Sequence, residues 1–403
     1  MKACGLIVEY NPYHNGHHYH FQQAKKITDS DCVIAVMSGN FLQRGEPAII
    51  DKFSRAKIAV EQGIDLIVEL PYYYAVQHSE LFAKGAITIL DNLQVDSICF
   101  GSEHGRIHDF IQMYQLIKTN QKEYDAYLKD VLNKGYSYPK ANELAFTHIG
   151  GDQLSIDFTK PNNILGYQYV KNIYDLHSNI EPYTIKRIKN DYHDSEINDS
   201  IASATSIRKQ LLHKKEEDIN KAVPVKTREM IENYQEKYGS WHDWGVYFPI
   251  LKYRILTMSN EELKAIHGMK EGIENRIREK AREASDFEEF MDLIKTKRYT
   301  WTSLQRIFAN ILTNTQKSTI EELVNKEKLP GIRVLAMSST GQQWLNQNKK
   351  QIKTNIFTSN KKPYPLQTFD DRIDHAYYSI LSPTIQQKLI KQSYQKPIFK
   401  TPE

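Results

Sequence analysis

The chain has 403 residues, 40% hydrophobic and 25% charged, with a formal net charge of +4, a soluble globular composition long enough for two or three domains. No run approaches the roughly 20 apolar residues of a membrane span, and Met1-Lys2 leads straight into a strand without the sectors of a signal peptide, so the expected location is the cytoplasm. Cys4, Cys32 and Cys99 sit in apolar segments and read as core thiols, which argues against a disulfide framework.

The net charge conceals an asymmetry. Residues 1–200 hold 19 Lys+Arg against 25 Asp+Glu, a balance of −6, and residues 201–403 hold 34 against 24, a balance of +10. From residue 293 onward there are 18 basic and 7 acidic residues. A basic second half points to a polyanionic partner, nucleic acid being the usual one; a cationic surface kept for solubility is the alternative.

In chain order, Ala3 to Val8 reads as an apolar strand, followed by a turn at Asn11-Pro12 and a helix beginning near Asn15. His14 stands at the helix entrance and His17 three residues later, so both imidazoles can face one ligand. Gly16 between them lets an anion approach the backbone, and free N–H groups with the helix dipole would favour a triphosphate. The dense set His14, His17, His18 and His20 can also be read as a zinc site, but His18 points away from the face of His14 and His17, and no CxxC or HExxH pattern occurs.

Further strand-like runs at Cys32 to Met37, Asp65 to Leu70 and Asp96 to Phe100 alternate with helical patterns at Phe53 to Gln62 and Glu80 to Asn92. This is the signature of parallel βαβ units, whose ligands bind beyond the carboxyl ends of the strands. The loop after the second run offers Ser38, Asn40, Gln43 and Arg44 to a polar substrate beside the phosphates, or is a structural turn with exposed polar residues. Tyr72 to Tyr74 can stack a base or pack at a rim. Gly101 follows the fourth run, where a nucleoside can lie against the backbone. Residues 104–160 read as a mainly helical insertion. A helix then starts at Pro161, where Asn162 or Asn163 can cap or address an adenine edge.

A fifth run, Tyr183 to Ile188, places Lys186 and Arg187 near its end, and Asp191-Tyr192-His193-Asp194 follows. Ser203, Thr205 and Ser206 then stand at a helix start with Arg208 just inside, more hydroxyls than a cap needs and a good set for phosphate oxygens. Beyond about residue 215 the pattern becomes helical and rich in Lys and Glu, with an amphipathic helix carrying Leu304, Ile307, Phe308, Ile311 and Leu312 on one face. Arg298 and Arg306 fall toward its other side. A strand at Ile332 to Met337 precedes a basic helix ending in Lys349-Lys350, and these four cations form an expected RNA-facing set.

Taken together, His14-Asn15-Gly16-His17, the loop from Ser38 to Pro47, Phe100-Gly101-Ser102-Glu103, Pro161 to Gly166, Asp191 to Asp194 and the Ser203 to Arg208 helix start resemble the bacterial tRNA(Met) cytidine acetate ligases of the HxGH nucleotidyltransferase superfamily. The likeness is strongest before residue 212. It implies an α/β fold: a Rossmann-like, parallel-sheet ATP-binding domain over 1–215, then a mainly helical, basic, tRNA-binding region over 216–403 ending in a small α/β element. It implies that ATP and acetate give acetyl-adenylate with loss of pyrophosphate, and that the acetyl group passes to N4 of the wobble cytidine (C34) of elongator tRNA(Met). ATP would lie along Ile7, Val8, Glu9, Tyr10, Asn11, Pro12, Tyr13, His14, Asn15, Gly16, His17, His18, Tyr19 and His20, with contacts at Gly101, Asn162 and Arg187.

The residues accommodate that chemistry. His14 and His17 would donate to the phosphates in a catalytic role, Ser203, Thr205 and Arg208 would grip the β and γ groups, and Mg²⁺ would bridge them without protein ligands. One departure is Ile201-Ala202-Ser203-Ala204-Thr205, where the superfamily more often has adjacent serines. A cofactor-making nucleotidyltransferase and a non-catalytic ATP-binding RNA adaptor are the competing readings.

Overall fold

The computed structural model describes residues 1–187, 202–213, 216–270, 272–296, 299–326, 328–358 and 365–400. Arg298 and the Asp191 to Asp194 segment lie outside the described residues.

The N-terminal half alternates strands and helices: β1 (Ala3–Val8), α1 (Asn15–Thr28), β2 (Cys32–Ser38), α2 (Lys52–Glu61), β3 (Leu66–Leu70), α3 (Tyr72–Ala75), α4 (Ser79–Leu93) and β4 (Ser97–Ser102). Every residue of β2 and β3 is buried, the mark of strands covered by helices on both faces. The expected insertion is three helices, α5 (Ile107–Thr119), α6 (Gln121–Asn133) and α7 (Tyr138–His148), before α8 (Pro161–Asp175), β5 (Glu181–Lys186) and α9 (Ala204–Leu212).

Strands β5, β4, β1, β2 and β3 lie side by side in that order, all parallel. The chain builds outward from β1 through β2 to β3, then crosses back to place β4 against the other edge of β1. That reversal opens a crevice beyond the carboxyl ends of β1 and β4, where open α/β sheets bind their ligands.

Helices α10 (Val225–Tyr238), α11 (Trp244–Thr257), α12 (Asn260–Ala265), α13 (Ile273–Glu283), α14 (Phe287–Ile294), α15 (Trp301–Leu312) and α16 (Lys317–Val324) follow. The chain ends with β6 (Ile332–Met337), α17 (Ser339–Asn348), β7 (Ile356–Phe357), α18 (Gln367–Tyr378), α19 (Pro383–Gln392) and β8 (Ile398–Phe399). The last strands do not form a separate element. Strand β6 runs antiparallel to β3, with Leu66 opposite Met337, and carries β7 and β8 beside it. All six of its residues are buried, so an exposed β3 edge and an apolar strand cover each other. The boundary expected near residue 215 therefore does not divide the sheet.

Side-chain charge ties the same two regions. Lys52 of α2 is buried, with its Nζ 2.9 Å from Glu69 Oε1 on β3 and 3.0 Å from Asp374 Oδ1 on α18. Burial works against its charge, but Asp374 and Glu69 outweigh that and hold its pKa above the usual value. Arg333 of β6 reaches Glu69 Oε2 at 3.6 Å. Removing one partner of such a cluster leaves uncompensated charge in the interior. Lys52→Met is therefore expected to lower the unfolding free energy by about 3–5 kcal/mol, read as a shift of the urea midpoint; a loss below about 1 kcal/mol would show that the cluster contributes no net stability.

Candidate active site

The crevice is a cleft of about 750 Å³. Its floor is the turn from β1 into α1. Tyr10 takes a positive φ of 49°, and the Asn11-Pro12 peptide is cis. The left-handed residue of the turn is thus a buried tyrosine. Packing holds it: its ring stands edge-on to Tyr13 at 4.8 Å and to His17 at 4.9 Å. Asn11 is instead a brace, its Oδ1 accepting from the Ile49 N–H at 2.7 Å.

His14 is the N-cap of α1. Its Nδ1 accepts from the Gly16 N–H at 3.0 Å, and His17 Nδ1 accepts from the His14 N–H at 3.3 Å. Both rings are thereby fixed as the Nε2–H tautomer when neutral. They stack with centroids 3.7 Å apart and planes at 27°. Burial, then Arg187 and Arg208, push His14 down to about 3. His17 lies well below the usual imidazole value through burial and then His14. His20 is pushed to about 4, chiefly by burial, while its Nε2–H donates to Cys99 O at 3.2 Å.

One expectation about this mouth needs correction. The first N–H groups of α1 are not open to a ligand: Asn15 N donates to Ala222 O at 3.0 Å and His17 N to His14 O at 2.9 Å. The donors facing the cleft are side chains. His18 turns toward Tyr13 and Gln22. Among the described residues, no three His, Cys, Asp or Glu side chains form a metal-ligand group.

Of the stretch expected to meet ATP, Ile7, Val8, Glu9, Tyr10, Asn11, His14, Gly16, His17, Tyr19 and His20 line the cleft. Pro12, Tyr13, Asn15 and His18 do not; they shape the turn and anchor it, Asn15 by its bonds to Lys221 O and Ala222 O. Gly101, Asn162, Arg187, Ser203, Thr205 and Arg208 line the same cleft. A Cβ on Gly101 would stand 3.3 Å from Arg187 Cγ. Ser203 caps α9 by accepting from the Ser206 N–H at 3.1 Å. Arg208 is already positioned, donating to Asn11 O at 2.9 Å and to Glu46 Oε2 at 3.1 Å. Asn162 does not cap α8 through its side chain. The Glu103 carboxylate does, accepting from Asn163 N at 2.9 Å and from Asn162 Nδ2 at 2.7 Å.

The loop after β2 splits in two. Gln43 and Arg44 line the cleft, whereas Ser38 and Asn40 are buried beneath it, Asn40 bonded to Asp374 Oδ1 at 2.9 Å and to the Lys52 N–H at 2.8 Å. Tyr72, Tyr73 and Tyr74 are buried in the core and stack no ligand face. Sequence reading missed the contribution of α15: Thr300, Thr302 and Arg306 line the cleft, so Arg306 does not stand on an outer surface. Lys349 lines a separate groove with Lys328 and Lys353, and Lys350 is exposed.

A strand-turn-helix bearing paired imidazoles, set at the crossover of a parallel sheet, is the arrangement of a HIGH Nucleotidyl Transferase, and that family matches residues 1–393. The tRNA(Met) cytidine acetate ligase of Oceanobacillus iheyensis is 49% identical over 402 residues, covering 99% of this chain and 100% of its own. That of Bacillus subtilis is 45% identical over 355 residues, covering 87% and 86%. The crystal structure of Thermotoga maritima TmcAL bound with alpha-thio ATP superposes with a TM-score of 0.89 at 30% identity, covering 99% of both chains. The chain therefore belongs to the tRNA(Met) cytidine acetate ligase family.

The depressed imidazoles carry a pH signature. An unfolded histidine takes up a proton near pH 6.5, whereas folded His14 resists until about 3. Between those values the unfolded state binds more protons, so stability is full above pH 6.5 and falls as the pH drops. His14→Gln should flatten the stability profile between pH 6 and 4 by about 1.4 kcal/mol per pH unit, measured by urea unfolding; an unchanged slope would mean that the ring titrates normally.

Proposed function

We propose that this chain is an ATP-dependent ligase that converts acetate to acetyl-adenylate with release of pyrophosphate, then transfers the acetyl group to N4 of the wobble cytidine of elongator tRNA(Met). The carrying observation is the cleft at the β1/β4 crossover, with two Nε2–H imidazoles on one side and Arg187, Arg208 and the start of α9 on the other. Family membership supports the same activity.

In this reading the nucleoside lies over Gly101 at the end of β4, and its phosphates run toward the mouth of α1. His14 and His17 donate Nε2–H to the phosphate that acetate attacks, and Ser203, Thr205, Arg208 and Arg187 take the charge of the departing pyrophosphate. No side-chain nucleophile is needed, because the acetate carboxylate is itself the attacking group and positioning is the main task. Where Mg²⁺ takes part it would enter with the triphosphate as its counter-charge, with no protein side chain reserved to hold it. The cleft carboxylates fit that assignment: Glu46 is paired with Arg208, and Glu9 Oε1 accepts from the Gln43 N–H at 2.7 Å.

The second step needs an unstacked cytidine, as an anticodon loop supplies. We assign the basic region 216–403, with Lys349 and Lys350 exposed on it, to holding the RNA. Among the described residues no helix is long and apolar enough to cross a membrane; a cytoplasmic location is proposed with the substrate.

Two measurements test this. Labelled pyrophosphate should enter ATP only when acetate is present; exchange driven instead by a phosphorylated cofactor precursor would favour the cofactor-making alternative. With tRNA, ATP and isotopic acetate, mass analysis of nucleosides should show N4-acetylcytidine. His14→Ala should slow acetate-dependent exchange by about 10²- to 10³-fold, the effect of removing a transition-state donor. Undiminished exchange would show that this ring is no transition-state donor, whereas wild-type protein that binds ATP and RNA but gives neither exchange nor N4-acetylcytidine would fit the adaptor reading.

A further inference from the structure

The cleft has a second cationic end that the nucleotide does not explain. The charges acting on His14 are Arg187 and Arg208. Arg306 acts instead on His78 and His267, on the other side of the loop after β2. Both of those imidazoles are lowered chiefly by burial, His267 to about 4, so neither ring is charged at neutral pH; Glu80 also acts on His78 and Lys317 on His267.

Arg306 itself is a cation without an anion. Among the described residues it makes no ion pair; its one protein hydrogen bond runs from Nη1 to Gln43 O at 3.3 Å. A guanidinium has five N–H donors in a planar fork, of which one is used by Gln43 O, and Arg306 lines the cleft. Burial alone pushes its pKa down to about 10. A half-buried charge in that condition is stabilised by any small anion that enters, and a planar carboxylate fits the fork two-pronged.

Its position is fixed relative to the phosphate end. The Gln43 N–H is bound to Glu9 Oε1 at 2.7 Å, and Gln43 Nε2 donates to Gln77 O at 2.9 Å. Gly45 presses on the backbone of α15, where a Cβ would lie 2.3 Å from Arg306 N. One residue, Gln43, thus links the guanidinium to the end of β1, the strand that feeds the His14 turn. Leu42 and Phe82 are apolar residues lining the same cleft, which can take a methyl group.

We propose that Arg306 is the acetate-binding residue: it receives the carboxylate of acetate in the same cleft that holds the triphosphate, beside the phosphate under attack, and offsets the repulsion between the two anions before attack. This rests on the acetate ligase reading above. It also gives the second half of the chain a direct part in the first chemical step, which needs no RNA.

Pyrophosphate exchange without RNA isolates that step. Arg306→Gln should raise the acetate KM about 10- to 100-fold, the loss of a charge-assisted pair, while α-thio ATP still binds by calorimetry. Should Arg306→Gln unfold, Arg306→Lys keeps the charge but not the fork, and should give a smaller rise in acetate KM with an unchanged melting temperature. If either folded variant keeps the wild-type acetate KM in exchange and loses only acetylation of tRNA, the arginine grips RNA and the proposal is overturned. If wild-type enzyme shows no acetate-dependent exchange at all, the parent reading falls and takes this one with it.

Discussion

The Arg55 guanidinium, wholly shielded from solvent, donates to Glu9 O at 2.6 Å, Ser38 O at 3.1 Å, Ile50 O at 3.2 Å and Gly39 O. The carbonyls of Glu9, Ser38 and Gly39 sit where β1 and β2 run out of the sheet, and that of Ile50 just before α2; buried carbonyls in such places need a donor from outside the sheet. A neutral helix would leave them unsatisfied. The charge is tolerated because Asp51 and Glu9 stand nearby against the cost of burial. Asp51 also fixes the helix that carries the arginine, capping α2 through the N–H groups of Phe53 and Ser54. The ends of two strands, and so the turn into α1 and the loop after β2, are held as one frame.

The C-terminal half closes on that frame rather than hanging from it. Tyr377 of α18 donates its hydroxyl to Ala48 O at 2.7 Å, His242 N donates to Ile49 O at 3.2 Å, and Asn40 reaches Asp374. From the other side α15 lies against Gly45, whose positive φ of 83° and lack of a Cβ permit the approach. The segment from Asn40 to Ile50 is therefore gripped by both halves of the chain. Any displacement of those helices would act on the same segment that presents Gln43 and Arg44 to the cleft.

Periodicity made the parallel strands legible: β1 falls where the apolar run predicts, and the starts of α1 and α8 follow from their turn chemistry. The paired histidines were legible because the HxGH spacing puts both rings at one helix mouth. What stayed hidden depends on contacts distant in sequence. Glu103 caps a helix that begins 58 residues later, a bond no local pattern announces. The pairing of β6 with β3 was invisible because an apolar strand near residue 335 does not name its neighbour. Arg306 read as surface because a charged residue opposite an apolar stripe usually is; only the packing of α15 on Gly45 turns that face inward. Lys52 and Arg55 left a faint trace, two of the three cations in a helix otherwise apolar enough to be covered on most sides.

The state of the imidazoles follows from the same burial. Permanently charged rings at the mouth of α1 would repel each other at 3.7 Å and would compete with Arg187 and Arg208 for the same field. Neutral rings avoid both costs and still present an N–H each, because backbone N–H groups have already claimed their Nδ1 atoms. Net positive charge is left to guanidiniums, which cannot lose it near neutral pH. In the proposed reaction the labour would be divided: arginines would attract the polyanion over distance, and imidazoles, fixed in tautomer and orientation, would supply short directed donors once it arrives. A preorganised donor needs no reorientation as charge develops on an attacked phosphate, and that is where such groups lower a barrier. A bound triphosphate would offset only the share of the depression that comes from Arg187 and Arg208, burial being the larger cause, so both rings would gain basicity on binding and still donate as neutral imidazoles.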